Sequence, residues 1–299
     1  MPPDGPGDNR DDHGGGGRDA VPPAEPRLRQ EYAADRRAAA SAEEPAAEEP
    51  AAMRQAAAKE QAAAQQWDES SKESRWMWSE YQRKWPPEER PPTAKPDNPA
   101  VNGRVKAECD RVAEREQDKI SPPLRAIESQ DPDRHLIGFE YRLKGQDRIT
   151  EKIDGMMKES GFTPEQAVSQ VPDAIRYTFE YREARYTQAV LADIARLKDH
   201  GFTLDKLKNF WSDEQYKGIN SQWIEPESGQ RFEVQFHTRI SFEAKQLTHG
   251  AYERLRSKQA DSFEELVLEA FQKKVTAEVP VPLGADSIPH YPERGADAR

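Results

Sequence analysis

The segment from Gln215 to Thr238 reads QYKGINSQWIEPESGQRFEVQFHT. Its arms INSQWIE and RFEVQFHT flank the turn residues PESGQ, which predicts a β-hairpin. In the second arm apolar and polar side chains alternate, as they do in a strand with two different faces. The apolar face would carry Phe232, Val234 and Phe236, and the polar face Glu233, Gln235 and His237. That polar face is either an exposed sheet surface or the floor of a cleft that holds a metal ion and phosphates.

Patterns on both sides of the hairpin predict one α/β (α+β) domain over residues 99–278, with a mixed β-sheet flanked by helices. AIRYTFEY, which begins at Ala174, alternates strictly and predicts another strand. Helices are predicted where apolar residues recur every three or four positions, and Gly161 and Gly201 are stop signals for two of them. The predicted helices are VKAECDRVAEREQDKI, PPLRAIESQ, RITEKIDGMMKESG, TQAVLADIARLKDHG and a last one that begins at Ser241.

The flanking regions differ in composition from this domain. Only 35% of the 299 residues are hydrophobic, against about 45–50% in ordinary globular chains. Residues 1–98 are predicted to form a low-complexity, largely disordered region with Ala-rich and Trp-rich helical segments. Residues 279–299 combine Pro and Gly with charges and are predicted to be a disordered tail. On this prediction the domain carries all the candidate chemistry and folds without either flank.

Four of the six tryptophans lie in WDESSKESRWMWSEYQRKW, at positions 67, 76, 78 and 85. A disordered linker would rarely expose so much aromatic surface. We therefore expect this segment to dock onto the following domain or onto a partner. The run PPEERPPTAKPDNP after it is typical of a linker.

Charge, cysteine content and hydropathy restrict the class of protein. The net charge is −11, but residues 141–258 hold 19 Lys and Arg against 18 Asp and Glu, so a basic phosphate site is compatible with it. The single cysteine, Cys109, excludes an internal disulfide and a multi-cysteine metal site. No apolar run approaches the roughly 20 residues of a membrane span, and no signal-peptide pattern is present. We expect a cytoplasmic protein, unless it is delivered into a target cell without a readable signal.

A block of cations near a predicted helix start is the first candidate site. RLKGQDRITEK holds Arg142, Lys144, Arg148 and Lys152 within eleven positions. Four cations and the backbone N–H groups of a helix N-terminus suit a polyphosphate. An ordinary solvated, charged loop is the alternative.

Two carboxylates are candidates for a metal site. Asp173 lies at the start of the AIRYTFEY strand, and Glu233 projects from the middle of the hairpin strand. If these strands are neighbours, the two side chains approach each other and would hold Mg²⁺, which takes carboxylates together with phosphate oxygens. The alternatives are a turn or capping role for Asp173 and simple exposure for Glu233.

The segment KLKNFWSDEQYKGIN is predicted to be a Lys-rich, aromatic loop between them. Such a loop can stack a nucleobase on Tyr216 while Lys206 and Lys208 meet phosphates. The alternative is that Phe210, Trp211 and Tyr216 fill the edge of the core.

In this order, four blocks resemble the synthetase domain of the RelA/SpoT family: RLKGQDRITEKI, PDAIRYTFEY, YKGIN and FEVQFHT, followed by a helix with a histidine. The resemblance covers about Tyr141 to Arg256 and implies an enzyme that moves pyrophosphate from ATP to a nucleotide 3'-hydroxyl, with Mg²⁺ as cofactor. It implies that Asp173 and Glu233 hold Mg²⁺ and that Glu233 takes the proton from the attacking hydroxyl. The residues implied to bind ATP are Arg142, Lys144, Arg148, Lys152 and Arg176. The residues implied to bind the acceptor are Tyr216, Lys206, Lys208, Asn220, Gln235 and His237.

The chain departs from the family pattern mainly where the acceptor would bind. Lys217, Gly218, Ile219 and Asn220 replace the usual residues after the tyrosine, and His237 stands where Arg is usual. The glycine that is common between the aspartate and the arginine of the second block is missing in DAIR. The chain therefore resembles divergent, toxin-like members, some of which make adenosine alarmones or pyrophosphorylate the tRNA 3' end. Its six histidines do not supply the metal constellation of the family's hydrolase domain.

These observations leave more than one function open. The expected partners are ATP and an acceptor, which is GDP or GTP, an adenosine nucleotide or tRNA, with an antidote or delivery protein as a further partner and no membrane. A catalytically inactive module that binds nucleotide or a partner is the alternative, although such a module would not need the carboxylate pair. A helical interaction protein built on the Trp-rich segment would leave the hairpin unexplained.

Overall fold

A five-stranded mixed sheet forms the centre of the protein, and this confirms the predicted α+β fold. Its strands are β1 Arg134–Leu136, β2 Arg176–Tyr181, β3 Thr203–Asn209, β4 Ile219–Ile224 and β5 Arg231–Thr238. They lie in the order β1-β2-β5-β4-β3, with β2 and β5 parallel and all other neighbours antiparallel. The computed structural model describes residues 51–85, 99–258 and 260–292, all within one unit that begins at Glu44.

Helices flank this sheet along the described part of the chain. They are α1 Ala51–Lys84, α2 Pro99–Arg115, α3 Ser121–Glu128, α4 Gln146–Ser160, α5 Pro164–Ser169, α6 Tyr186–Asp199, α7 Arg239–Arg256 and α8 Ser262–Ala277. The predicted stop signals are confirmed, because Gly161 and Gly201 both have the positive φ of helix-terminating glycine. None of the helices in the described ranges is long and apolar enough to cross a membrane.

Strand β5 has one apolar face and one polar face, as predicted. Phe232, Val234 and Phe236 are fully buried, and the ring of Phe236 stacks on that of Phe179 in β2 with centroids 6.3 Å apart. On this side Tyr186 of α6 donates a hydrogen bond to the backbone oxygen of Phe236. Burial of each such side chain stabilises the fold by about 1.5–3 kcal/mol, so the apolar face holds the hairpin in register.

The opposite face of the sheet is polar across four strands. Directly paired residues carry their side chains on the same face, so the register defines two polar rows. The first row contains Arg176, Glu233, Gln222 and Lys206. The second row contains Thr178, Gln235, Asn220 and Lys208. A polar surface of this extent in the centre of a sheet is a candidate functional site.

Strand β3 was not predicted, because its hydrophobic pattern lacks the strand period. A register shift between Leu204 and Lys206 separates the apolar residues Leu204 and Leu207 by three positions instead of two. The predicted loop is therefore wrong at its start, because Lys206 and Lys208 lie on an edge strand. Its end is as predicted, since β4 begins at Ile219 directly after Gly218. The short strand β1 and helix α8 were not predicted either.

Helix α7 begins at Arg239, two residues before the predicted start at Ser241. Thr238 is its N-cap and accepts a hydrogen bond from the backbone N–H of Ser241. The side chain of Ser241 in turn accepts from the N–H of Thr238, which completes a capping box. Ser241 therefore lies within the first turn of the helix and does not begin it.

Helix α1 carries the Trp-rich segment and docks onto α7 and α8. Trp67 and Trp78 are only 2% and 8% exposed. The indole N–H of Trp67 donates to Glu243 at 2.8 Å, and Trp78 stacks on Phe271 with centroids 5.4 Å apart. The predicted anchor is confirmed for these two residues and is wrong for Trp76, which is 63% exposed. Residues 86–98 of the predicted linker lie outside the described residues, as do residues 1–50.

The segment after α8 is ordered against the sheet up to residue 292, so the prediction of a disordered tail is wrong for this part. Val279, Ala285 and Ile288 are buried. Tyr291 exchanges two backbone hydrogen bonds with Leu207 of β3, at 2.7 and 3.0 Å. An edge strand offers unpaired backbone groups, so a segment with few apolar residues can still attach there. Residues 293–299 lie outside the described residues.

Candidate functional site

Charged side chains from four separate elements meet beside the polar face of the sheet. They come from α4, the short turn Pro172–Ala174, the strand pair β2 and β5, and α7. The N–H of Glu233 donates to the backbone oxygen of Ile175 at 2.9 Å, which brings β5 alongside the turn that carries Asp173. The predicted proximity of these two segments is thus present in the structure.

Asp173 is held by two lysines of the predicted cation block. Its carboxylate oxygens lie 2.8 Å from the ammonium of Lys144 and 2.5 Å from that of Lys152. Burial acts to raise the pKa of Asp173, but the hydrogen bonds and charges of the lysines outweigh this and lower it to about 2. Asp173 is therefore a carboxylate at neutral pH. Both lysines are partly exposed and face it.

The two arginines of the cation block pair with other carboxylates. Arg142 forms an ion pair with the buried Glu116, with 2.7 Å between Nε and Oε1, and its guanidinium lies 4.3 Å from the centre of the Phe139 ring. Arg148 is mostly exposed and lies 3.9 Å from Glu151. The structure thus ties Arg142 to the α2–α3 junction, because a buried carboxylate needs a cation. No local pattern indicates this pair, because its two residues are 26 positions apart.

Glu233 is the central carboxylate of the polar face. Its Oε1 accepts a hydrogen bond from the side-chain amide of Gln235 at 2.5 Å, and Arg176 is its register partner on β2. Gln235 itself is only 4% exposed and also accepts a hydrogen bond from Lys245 of α7. Gln235 therefore links two charged groups, and its direct contact with the acceptor stays a prediction.

Lys245 is a residue of this site that was not predicted. Burial and the neighbouring charge of Arg176 lower its pKa to about 7, although Glu233 acts in the opposite direction. Lys245, His249 and Glu253 recur every four residues on α7, which places them on one face of the helix. Burial and nearby charges, including Lys245 and Arg148, also lower the pKa of His249. That four-residue spacing of polar side chains was the signal that could have identified them.

The hydroxyl of Tyr216 is held by the side chains of Asn220 and His237. Its hydroxyl donates to Asn220 at 2.8 Å and lies 2.9 Å from Nε2 of His237, whose Nδ1 lies 2.9 Å from the hydroxyl of Ser241. His237 has no exposed surface, and burial holds its pKa well below the usual range. In this structure His237 supports Tyr216, and its contact with the acceptor stays a prediction. Gly218 is required next to it, because a Cβ there would lie 2.7 Å from the His237 ring.

The remaining predicted acceptor residues lie farther along the sheet. Lys206 and Lys208 are exposed on β3, in register with Gln222 and Asn220. Since neighbouring strands are about 4.8 Å apart, β3 lies about 10 Å from the strand that carries Glu233. The two lysines thus border the polar face and do not join the Glu233 group.

We expect Tyr216→Phe to lower the free energy of unfolding by about 1–3 kcal/mol, because it leaves the buried His237 nitrogen without its partner. Denaturant titration at neutral pH measures this change. Tyr291→Phe is the control, since that side chain is half exposed. Equal stability of both variants and wild type would show that the hydroxyl is not needed to hold the loop.

Comparisons with known proteins give similarity to a few solved structures over part of this chain. No protein-family model matches the chain, and no curated protein matches it. Similar solved structures include small alarmone synthetase 1 from Bacillus subtilis bound to its product pppGpp, with 13% identity and a TM-score of 0.38. Small alarmone synthetase 2 from Bacillus subtilis has 13% identity and a TM-score of 0.41, and a GTP pyrophosphokinase family protein from Streptococcus pneumoniae has 13% and 0.39.

These similarities cover 59%, 58% and 60% of this chain and 90%, 93% and 91% of the three solved chains, respectively. At this level of identity the likeness concerns the fold alone. A function for this chain has to come from its own side chains.

Proposed function

We propose that this protein transfers a pyrophosphoryl group from ATP to the 3'-hydroxyl of an acceptor nucleotide. The observation that carries the proposal is the central carboxylate Glu233, which lies in register with Arg176 and next to the segment that holds Asp173. A carboxylate among cations is suited to a reaction that removes a proton beside a triphosphate. The resemblance of the four sequence blocks to RelA/SpoT synthetases supports the choice of reaction.

Mg²⁺ is the cofactor that we propose for this site, held by Asp173 and Glu233. Mg²⁺ is usually bound by one or two protein carboxylates together with substrate phosphates, so this donor set fits it. Asp173 fits also in its charge, since its pKa of about 2 keeps it ionised. In the described ranges, no group of three or more His, Cys, Asp or Glu residues could hold a metal by itself. When bound, Mg²⁺ would stabilise negative charge on the triphosphate.

We assign phosphate binding and proton removal to separate side chains of this site. Lys144, Lys152 and Arg176 bind the phosphates of ATP, and Glu233 accepts the proton of the acceptor's 3'-hydroxyl. The oxygen of that hydroxyl forms a bond to the β-phosphorus of ATP. The bond between this phosphorus and the oxygen that bridges to the α-phosphorus breaks, and AMP leaves with the electron pair. Arg142 contributes indirectly, through the α2–α3 junction, because it is paired with Glu116.

The acceptor is GDP or GTP, an adenosine nucleotide or the 3' end of tRNA, and the protein acts in a toxin-like manner. Support for a divergent acceptor comes from the loop before β4, where Tyr216 bonds to Asn220 and His237. Both of these partners are residues at which the sequence departs from the family pattern. Residues that fix the tyrosine ring also decide which base it can stack against.

The function is tested by incubating the purified full-length protein with Mg²⁺, ATP labelled in its β-phosphate, and GDP, GTP, AMP, ADP or tRNA in turn. We expect one class of acceptor to receive the label, with release of one AMP for each transfer. The same acceptor with a 3'-deoxyribose is the control and should stay unlabelled. Tight nucleotide binding without any labelled product would favour the alternative, a binding module.

A further inference from the structure

Lys245 on α7 is none of the residues that bind ATP or accept the proton in the proposed reaction. Its ammonium donates a hydrogen bond to Oε1 of Gln235, whose amide nitrogen donates to Glu233 at 2.5 Å. We propose that Lys245 is a positioning residue, which fixes the Gln235 amide so that this amide holds the Glu233 carboxylate in place. This inference rests on the proposed function, in which Glu233 accepts the proton.

The hydrogen-bonding capacities of the Lys245 ammonium, the Gln235 amide and the Glu233 carboxylate determine how the amide must be oriented. An ammonium can only donate hydrogen bonds, an ionised carboxylate can only accept them, and an amide does both. With Lys245 in place, the oxygen of the Gln235 amide must face α7 and its nitrogen must face Glu233. Without the ammonium the amide can rotate by half a turn, and its oxygen would then face the carboxylate and repel it.

The surroundings of Lys245 keep its ammonium directed at this amide. Its neighbours on α7, Ala244 and Leu247, are buried, so the helix cannot turn freely. Trp67 of α1 bonds to Glu243 from the other side of α7. Burial and the charge of Arg176 disfavour the charged form of Lys245, whereas the charge of Glu233 favours it. A partly buried cation next to another cation does not serve stability, which favours a functional use.

The test compares Lys245→Met, which removes the ammonium and keeps the stem, with Lys245→Arg, which keeps hydrogen-bond donors. We expect Lys245→Met to lower kcat at least about tenfold with little change in the KM for ATP, because about tenfold corresponds to the loss of one well-placed hydrogen bond. Lys245→Arg should recover most of the rate. Lys198→Met, at an exposed position on α6, is the matched control and should behave as wild type.

A second readout does not depend on activity. The side-chain amide signal of Gln235 in a ¹H–¹⁵N NMR spectrum can be assigned by its loss in Gln235→Met. We expect this signal to shift in Lys245→Met and to stay near its wild-type position in Lys245→Arg and Lys198→Met. An unmoved signal in Lys245→Met would overturn the inference.

The kinetic measurement can also overturn the inference that Lys245 positions the amide. It would do so if Lys245→Met and Lys245→Arg lower kcat and the melting temperature to the same extent. That outcome would mean that Lys245 acts only in packing. Should wild type transfer no label to any acceptor, the proposed function fails. The NMR signal would still decide whether Lys245 orients the amide, so the two failures are distinguishable.

Discussion

Glu233→Gln should reduce pyrophosphate transfer by at least about 100-fold while the protein stays folded. A general base contributes about 10²–10⁴ in rate, and an amide cannot take up the proton of the 3'-hydroxyl. The fold should survive because the substituted side chain has the same shape and its oxygen can still accept the hydrogen bond from Gln235. Steady-state transfer rates and the melting temperature measure the two effects separately.

Glu227→Gln is the matched control for this variant, because Glu227 lies in the turn of the same hairpin with its side chain 71% exposed. It should transfer label at the wild-type rate. Asp173→Asn is expected to lose activity as Glu233→Gln does, since Lys144 and Lys152 would lose the carboxylate that they flank. Near wild-type turnover of Glu233→Gln with Mg²⁺ would refute the mechanism.

Removal of α1 should prevent stable folding, which reverses the expectation from sequence that residues 99–278 are self-sufficient. Deletion takes away the buried Trp67 and Trp78, and loss of one large core aromatic costs about 3–5 kcal/mol. Two such losses are comparable with the whole stability of an ordinary domain, about 5–15 kcal/mol. A fragment of residues 51–292 should fold and be active, whereas residues 99–292 should aggregate or unfold.

Two single substitutions test whether α1 is packed against α7 and α8 as the structure shows. Trp78→Ala should lower the free energy of unfolding by about 3–5 kcal/mol, because the ring packs against Gly250 and stacks on Phe271. Trp76→Ala should change it by less than about 0.5 kcal/mol, because Trp76 is mostly exposed. Chemical denaturation followed by circular dichroism gives both values. Equal effects of the two substitutions would mean that α1 is not docked as described.

Much of the site followed from local sequence patterns. Alternation in RFEVQFHT placed Glu233 on the face opposite Phe232, and the cation block identified Lys144 and Lys152. The Trp-rich segment was recognised as an anchor because exposed aromatic surface is unfavourable. Such predictions succeed because strand and helix periods depend on backbone geometry within a few residues.

Which charged groups become neighbours depends on contacts between elements that are distant in the chain. Pairing of β2 with β5 joins Arg176 to Glu233, and the packing of α7 brings Lys245 to Gln235. Burial of His237 beneath Tyr216 depends on the capped start of α7 as well as on the β5 alternation. Local patterns thus specify which side chains share a strand face and that one face of β5 is polar. The charged side chains that meet on that surface come from elements far apart in the chain. A helix or strand period is a property of a few consecutive residues, so it cannot indicate which of these elements pack together.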